Sequence, residues 1–166
     1  MGRFLITGLP RSRTAWFAVA TEALHEPISR EGWLPFMPKW KPNQGVSDGG
    51  AGMFLRDILA TYSPRTLIID RPLIEAARSF YAYAAPHVPL DGDRLITSLA
   101  RLQDALANVS DPQVKRVPYH ALNDIDVLHE CFDWLGVNPR NLEQLMHMNI
   151  QSSMQWNLAR FRERVA

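Results

Sequence analysis

Within four consecutive positions the chain places two guanidinium groups and two hydroxyls, Arg11-Ser12-Arg13-Thr14. Donors at that density suit an oxyanion carrying more than one negative charge. They are preceded by Gly8-Leu9-Pro10, which ends an apolar run, and followed by apolar residues at helical spacing, Trp16, Phe17, Val19, Ala20, Ala23 and Leu24. A turn between a buried strand and a helix brings backbone N–H groups and the positive end of the helix dipole to one point. Ser12 and Thr14 can also cap the helix. The loop is not a Walker A loop, because the second glycine and the Lys-Ser/Thr pair are missing, which argues against ATP with magnesium.

A second pair of the same kind stands further along. The apolar run at 66–70 ends at Arg71, and Ser79 follows eight positions later in a stretch with helical spacing. Eight residues is just over two helical turns, so Ser79 can look back toward Arg71 and one anion can be held between them. Read as ordinary chain, the same residues give surface charges at Arg11 and Arg13 and a core side chain at Trp16.

The elements that must position these groups alternate. Strands are expected at 3–7, 25–29, 66–70 and 115–118, and helices at 15–24, 53–62, 73–85, 91–108 and 124–135, the last stopped by Gly136. Residues 33–50, with Pro35, Pro38 and Pro42 among Trp33, Phe36, Trp40, Lys39 and Lys41, read as a long ordered loop with aromatic surface. From Pro139 the chain reads as further helix with a polar interruption at 149–153. Such alternation predicts an α/β fold, a three-layer α/β/α arrangement with a mainly parallel central sheet, in one domain over 1–166.

Composition narrows the function. With 166 residues and 46% hydrophobic residues the chain can bury a core. Eighteen basic and 17 acidic residues leave a net charge of +1, so no global field favours nucleic acid or an anionic membrane, and neither is expected as a partner. No apolar run approaches the roughly 20 residues that span a bilayer. Residues 1–7 are too short in their apolar part for a signal peptide, and a mature N-terminus is expected. The lone Cys131 cannot form an intramolecular disulfide and reads as a buried thiol, so a cytoplasmic, reducing setting is expected.

The first loop resembles the one with which sulfotransferases hold a 5′-phosphosulfate, whose pattern is Pro, Lys or Arg, Ser, Gly, Thr, a second hydroxyl and often Trp. Pro10, Arg11, Ser12, Thr14 and Trp16 fall on it in order; Arg13 stands at the glycine and Ala15 at the second hydroxyl. Arg71, Pro72 and Ser79 are similar to the family's site for the 3′-phosphate. Val117-Pro118-Tyr119-His120-Ala121-Leu122, with Phe132-Asp133-Trp134-Leu135-Gly136 after it, is similar to a strand and helix of the family that end in Tyr-Glu-Asp-Leu and Phe-Leu-Gly. The resemblance covers 3–24, 65–82 and 115–137. It implies a P-loop NTPase-like sulfotransferase topology and 3′-phosphoadenosine 5′-phosphosulfate as co-substrate. It also implies contacts from Arg11, Ser12, Arg13, Thr14, Ala15 and Trp16 to the phosphosulfate side, from Arg71 and Ser79 to the 3′-phosphate, and from Tyr119 and Trp16 to the adenine. The Gly-rich basic loop that closes over the nucleotide in cytosolic members has no match, and the polar stretch 149–155 stands where a lid would be.

Sulfuryl transfer needs a base for the acceptor's proton and positive charge on the leaving oxygen. Arg11 suits the second role. For the first, no histidine occurs between residues 26 and 70, where the family carries its catalytic one. The candidates are Glu26, which some relatives match with a glutamate after the first helix, its neighbour His25, and Asp48. His87, His120, His129 and His147 have no metal-ligand spacing, and no metal is expected. The aromatic surface at 33–40 beside Lys39 and Lys41 suits a small-molecule or glycan acceptor, or a partner protein. The expected function is therefore transfer of a sulfuryl group to a hydroxyl or amine. The alternatives are a small kinase-like nucleotide-binding protein with an altered loop, and a non-catalytic interaction module of the same fold.

Overall fold

The computed structural model describes residues 2–139 and 142–146. Among them five strands, β1 (Phe4–Gly8), β2 (Leu24–His25), β3 (Gly45–Ser47), β4 (Arg65–Asp70) and β5 (Val114–Pro118), form one sheet in the order β2-β3-β1-β4-β5. Every pairing is parallel. Parallel neighbours require crossovers, and helices supply them. Phe4, Ile6, Leu67 and Ile69 pack on one face against α1 (Thr14–Thr21), α7 (Ile125–Leu135) and α8 (Leu142–Met146). Leu5, Val46 and Ile68 pack on the other against α2 (Pro27–Glu31), α3 (Trp33–Phe36), α4 (Leu55–Tyr62), α5 (Leu73–Ala84) and α6 (Gly92–Ala107). The sheet is thus covered on both sides, as the alternating pattern predicts. Cys131, on α7, is buried, and burial pushes its thiol up to about 11.

Strand order reverses at β1. The chain leaves it toward β3 and β2 and returns on its other side to β4 and β5. In open parallel sheets a crevice forms at that point, outside the C-terminal strand ends. The loop that follows β1 and the turn that follows β4 both emerge there.

Three expectations change. The strand expected at 25–29 stops at His25, because Pro27 opens α2 at a position where its missing N–H does no harm. The segment 33–50 is not an exposed loop. It folds as α3, a 3₁₀ turn at Met37–Lys39 and β3, and its aromatics go inward, with Trp33 4% and Trp40 2% exposed. Trp40 donates its indole N–H to Gln44 O (2.9 Å), while Arg3 lies 4.2 Å from the Tyr62 ring centroid and donates to Trp40 O. The prolines limit each piece to a turn or so, and burial of the rings against α4 holds the pieces together. The acceptor surface expected from these residues is therefore core. β3 itself carries no apolar run, being three buried residues beginning with glycine.

Among the described residues no helix is long and apolar enough to cross a membrane. The polar stretch 149–155 and His147 lie outside the described residues.

Gly45 is dictated by its neighbour. A Cβ there would stand 1.9 Å from Phe4 Cζ, a ring fixed in the core. We expect Gly45→Ala to lower the free energy of unfolding by about 1–3 kcal/mol, the usual range for overpacking, measured by urea denaturation.

Candidate functional site

The loop between β1 and α1 turns twice through left-handed backbone, at Arg11 (φ 66°) and Arg13 (φ 63°). Residues in this conformation rotate neighbouring N–H groups to one side, the geometry of an anion-binding concavity. Arg13 is the residue before α1, and no side chain caps the helix. The expected Ser12 or Thr14 cap is thus not made, and the N–H groups of the first turn stay free of side-chain acceptors. The first intrahelical bond, Phe17 N–H to Arg13 O, spans 2.9 Å, so Thr14, Ala15 and Trp16 precede it. Gly8 lets β1 lie this close to β4 where the loop begins: a Cβ would stand 2.6 Å from Ile69 O. Ser12 is fully buried, and its Oγ has no hydrogen-bond partner among the described residues. Ser47 Oγ donates to Thr14 O (2.7 Å), fixing α1 to β3.

The turn after β4 comes to meet this loop. Arg71 Nη1 donates to the carbonyl of Arg11, while its Nε is buried and has no partner among the described residues. Ser79, from α5, accepts from the Nε of Arg11 at 3.5 Å through its Oγ. One turn further along α5, Tyr83 receives the Arg11 guanidinium over its ring at 4.6 Å. Tyr119, just past β5, receives Arg71 at 4.2 Å and Arg13 at 5.6 Å. Arg11, Arg71, Ser79 and Tyr119, which the sequence separates widely, therefore converge. The Arg13 side chain goes elsewhere than to an anion. It donates to Leu122 O (2.6 Å) and to Asn123 Oδ1, tying the loop to the 3₁₀ turn Tyr119–Asn123. Tyr83 and Asn123 are not found by sequence reasoning. Tyr83 lies four residues beyond Ser79 on one helical face, a signal that was there to be used; Asn123 gives none.

Among the described residues Arg11, Arg13 and Arg71 form no salt bridge, and Glu75, in the first turn of α5, pairs with His120 (3.0 Å), so the positive charge at the site meets no ion-pairing carboxylate. Asp70, adjacent to Arg71, could neutralise it, but a strand alternates its side chains and Asp70 points to the α6 face. There Arg116 grips both its oxygens (2.6 and 2.9 Å). Burial first, and the charge of Arg71 among its neighbours, lower the pKa of Arg11 from its ordinary value. Like charges brought together in a partly desolvated crevice favour an anion between them. Two buried donors without a partner among the described residues, with the guanidinium groups of Arg11 and Arg71 at the switch point, fit a phosphate or sulfate group.

No protein-family model matches the sequence, and no curated protein matches it by sequence. Comparison with solved structures does find chains of similar fold. Mouse sulfotransferase SULT7A1 complexed with PAP aligns over 86% of this chain and 62% of its own, with a TM-score of 0.60 at 14% identity. A sulfotransferase from Alicyclobacillus acidocaldarius aligns over 99% of this chain and 90% of its own, with a TM-score of 0.56 at 13% identity. This is the sulfotransferase fold. The chain spans about 62% of the length of the mouse protein.

On the sulfotransferase fold so defined, Trp16 does not supply a free ring to the crevice. It is 5% exposed, packs edge-on to Phe17 and beside Phe132, and donates its indole N–H to Leu145 O (2.9 Å). The helical stripe that begins with Trp16 faces the sheet, so the expected adenine stack gives way to core packing. Ala15, half-buried, contributes no polar side chain.

The base candidates lie on the same sheet edge. His25 is in register with Ser47, which is in register with Ile6, two strands and about 10 Å from β1. Its Nε2, buried and without a hydrogen bond, stands 3.6 Å from Glu26 Oε1. Glu26, with φ 55°, precedes α2 and its side chain is 44% exposed. Asp48 is excluded as a base. It is fully buried and accepts from Ser29 N (2.8 Å), Ser29 Oγ and Gly50 N (2.9 Å), so its carboxylate serves to hold α2 to the end of β3.

Two measurements check this geometry. Arg13→Gly and Arg13→Ala lose the same side-chain bonds, but of the two only glycine adopts φ 63° without strain; the glycine variant is expected to be the more stable by about 1 kcal/mol in chemical denaturation. Burial lowers the pKa of His25 from 6.5, outweighing the carboxylates of Glu26 and Asp48, with Arg30 adding to the decrease. The unfolded chain therefore binds this proton more readily than the fold does. Stability contributed by neutral His25 is full above about pH 6.5 and is lost as pH falls toward the lower folded value. We expect His25→Gln to flatten the decline of stability below pH 6.5, followed by thermal unfolding at a series of pH values.

Proposed function

We propose that this protein binds 3′-phosphoadenosine 5′-phosphosulfate and transfers its sulfuryl group to the hydroxyl or amine of a small-molecule or glycan acceptor. The observation that carries the reading is the pair of buried donors without a partner among the described residues, Ser12 Oγ and Arg71 Nε, the first next to Arg11 in the chain and the second on a side chain that donates to the Arg11 carbonyl. A doubly anionic ligand with two separated charged groups satisfies both. In this reading the backbone of 11–16 and the Ser12 hydroxyl hold the 5′-phosphosulfate, and Arg71 with Ser79 holds the 3′-phosphate. The mouse sulfotransferase of the same fold is a complex with PAP, which supports the choice of nucleotide.

In the transfer, the acceptor oxygen or nitrogen forms a bond to sulfur as the bond from sulfur to the bridging oxygen breaks, and the electron pair leaves with the 5′-phosphate. Arg11, half-buried beside that loop, stabilises the departing negative charge. The acceptor's proton goes to Glu26, whose carboxylate is half-exposed on the same edge and has the neutral His25 beside it. Tyr83, 39% exposed and stacked under Arg11, offers a flat surface for an acceptor ring. A cytoplasmic setting suits the buried free thiol of Cys131.

Nucleotide binding without transfer is the second reading, and the full engagement of Asp48 favours it, since that removes one of the possible bases. Calorimetric titration with 3′-phosphoadenosine 5′-phosphate, with AMP and ATP–Mg²⁺ as controls, tests the donor site. We expect the bisphosphate to bind best and Arg71→Ala to weaken it about 10- to 100-fold, as loss of a charge-assisted contact does. Preference for ATP–Mg²⁺ would replace the reading by a kinase-like one. Bisphosphate binding without sulfuryl transfer to any of a panel of phenols, amines and sugars would favour the second reading.

A further inference from the structure

Tyr119 sits where β5 ends and the 3₁₀ turn begins, half-buried and packed against the core under α7. Its ring is already engaged, with Arg71 Cζ at 4.2 Å from its centroid and Arg13 Cζ at 5.6 Å. A π surface that holds one guanidinium at that distance and a second within 6 Å is committed to cations. Arg71 is held at three points: by its backbone at the end of β4, by the Arg11 carbonyl that accepts from Nη1, and by this ring. Among the described residues nothing else restrains the guanidinium plane. The neighbouring carboxylate that could pull it away, Asp70, is taken by Arg116. What the arrangement leaves is Nε, buried and without a partner.

We infer that Tyr119 is a positioning residue for Arg71, setting the guanidinium so that its free Nε–H meets the 3′-phosphate, and that it is not a contact to the base. The inference rests on the donor-site reading above and replaces the expected approach of Tyr119 to the adenine with a role one step removed. Its signature is selective. A ring that orients Arg71 matters only to ligands carrying the 3′-phosphate, whereas a ring that touches the purine matters equally to all adenine nucleotides.

The experiment is calorimetric titration of wild type, Tyr119→Phe, Tyr119→Leu, Arg71→Ala and the Arg71→Ala/Tyr119→Leu double variant with AMP and with 3′-phosphoadenosine 5′-phosphate. The quantity read is the ratio of the two dissociation constants. Tyr119→Leu is expected to lower the 3′-phosphate preference about 3- to 30-fold with AMP binding unchanged. Tyr119→Phe keeps it, and Tyr119→Leu has no further effect in the Arg71→Ala background. Equal weakening of both ligands by Tyr119→Leu, with wild-type preference for the bisphosphate intact, overturns the inference alone. A wild type that shows no such preference overturns the donor-site reading and this inference with it. Thermal unfolding of each variant is recorded, and Tyr119→Met, which fills similar volume without a π face, stands in if the leucine variant does not fold.

Discussion

The loop after β1 has its shape because two arginines occupy left-handed backbone, Arg11 and Arg13. A side chain in that region costs roughly 1–2 kcal/mol, and the chain offsets it by using both residues as anchors. The Arg11 carbonyl accepts from Arg71, and the Arg13 guanidinium reaches across to Leu122 and Asn123. The crevice is thus braced from β4 on one side and from the turn after β5 on another. Ser12 lies fully buried inside the turn, and Gly8 lets β1 and β4 approach closely where the loop begins. The rest of the site follows from this brace. Ser79, Tyr83 and Tyr119 are arranged around the arginines and not around each other.

The sheet supplies the other half of the logic. Because β1 lies between β3 and β4, the loop and the Arg71 turn must emerge side by side, and strand alternation then separates Arg71 from the carboxylate of Asp70. Positive charge accumulates at the crevice while the protein as a whole is nearly neutral. Charge of this kind is local, made by topology and not by composition.

Much of this was legible. The two strand–turn–helix units announce themselves through apolar runs ended by Gly8-Leu9-Pro10 and by Arg71-Pro72, and the eight-residue spacing from Arg71 to Ser79 survives as proximity around Arg11. The parallel sheet follows from the alternation of elements. What escaped did so for tertiary reasons. β3 is three residues, and its glycine is explained only by the Phe4 ring beside it. Trp33 and Trp40 looked like surface because prolines surround them, yet their partner, Tyr62, stands more than twenty residues away in α4. Trp16 fits a ligand motif and a core stripe equally well, and only the position of α8 decides between them. The side chain of Arg13 found its acceptors 109 and 110 positions along the chain, beyond the reach of any local pattern.

That bond from Trp16 to Leu145 joins residues 129 positions apart, and it bears on how the protein is made. The helix that opens at the anion loop leaves the ribosome long before the carbonyl its indole requires. Until then α1 has an aromatic flank with part of its packing missing, and contacts of such sequence separation form slowly. The braces of the anion loop need nothing beyond Asn123, whereas α1 is fully seated only after α8 has emerged, so a chain halted before residue 145 would present a crevice whose first helix is incompletely packed.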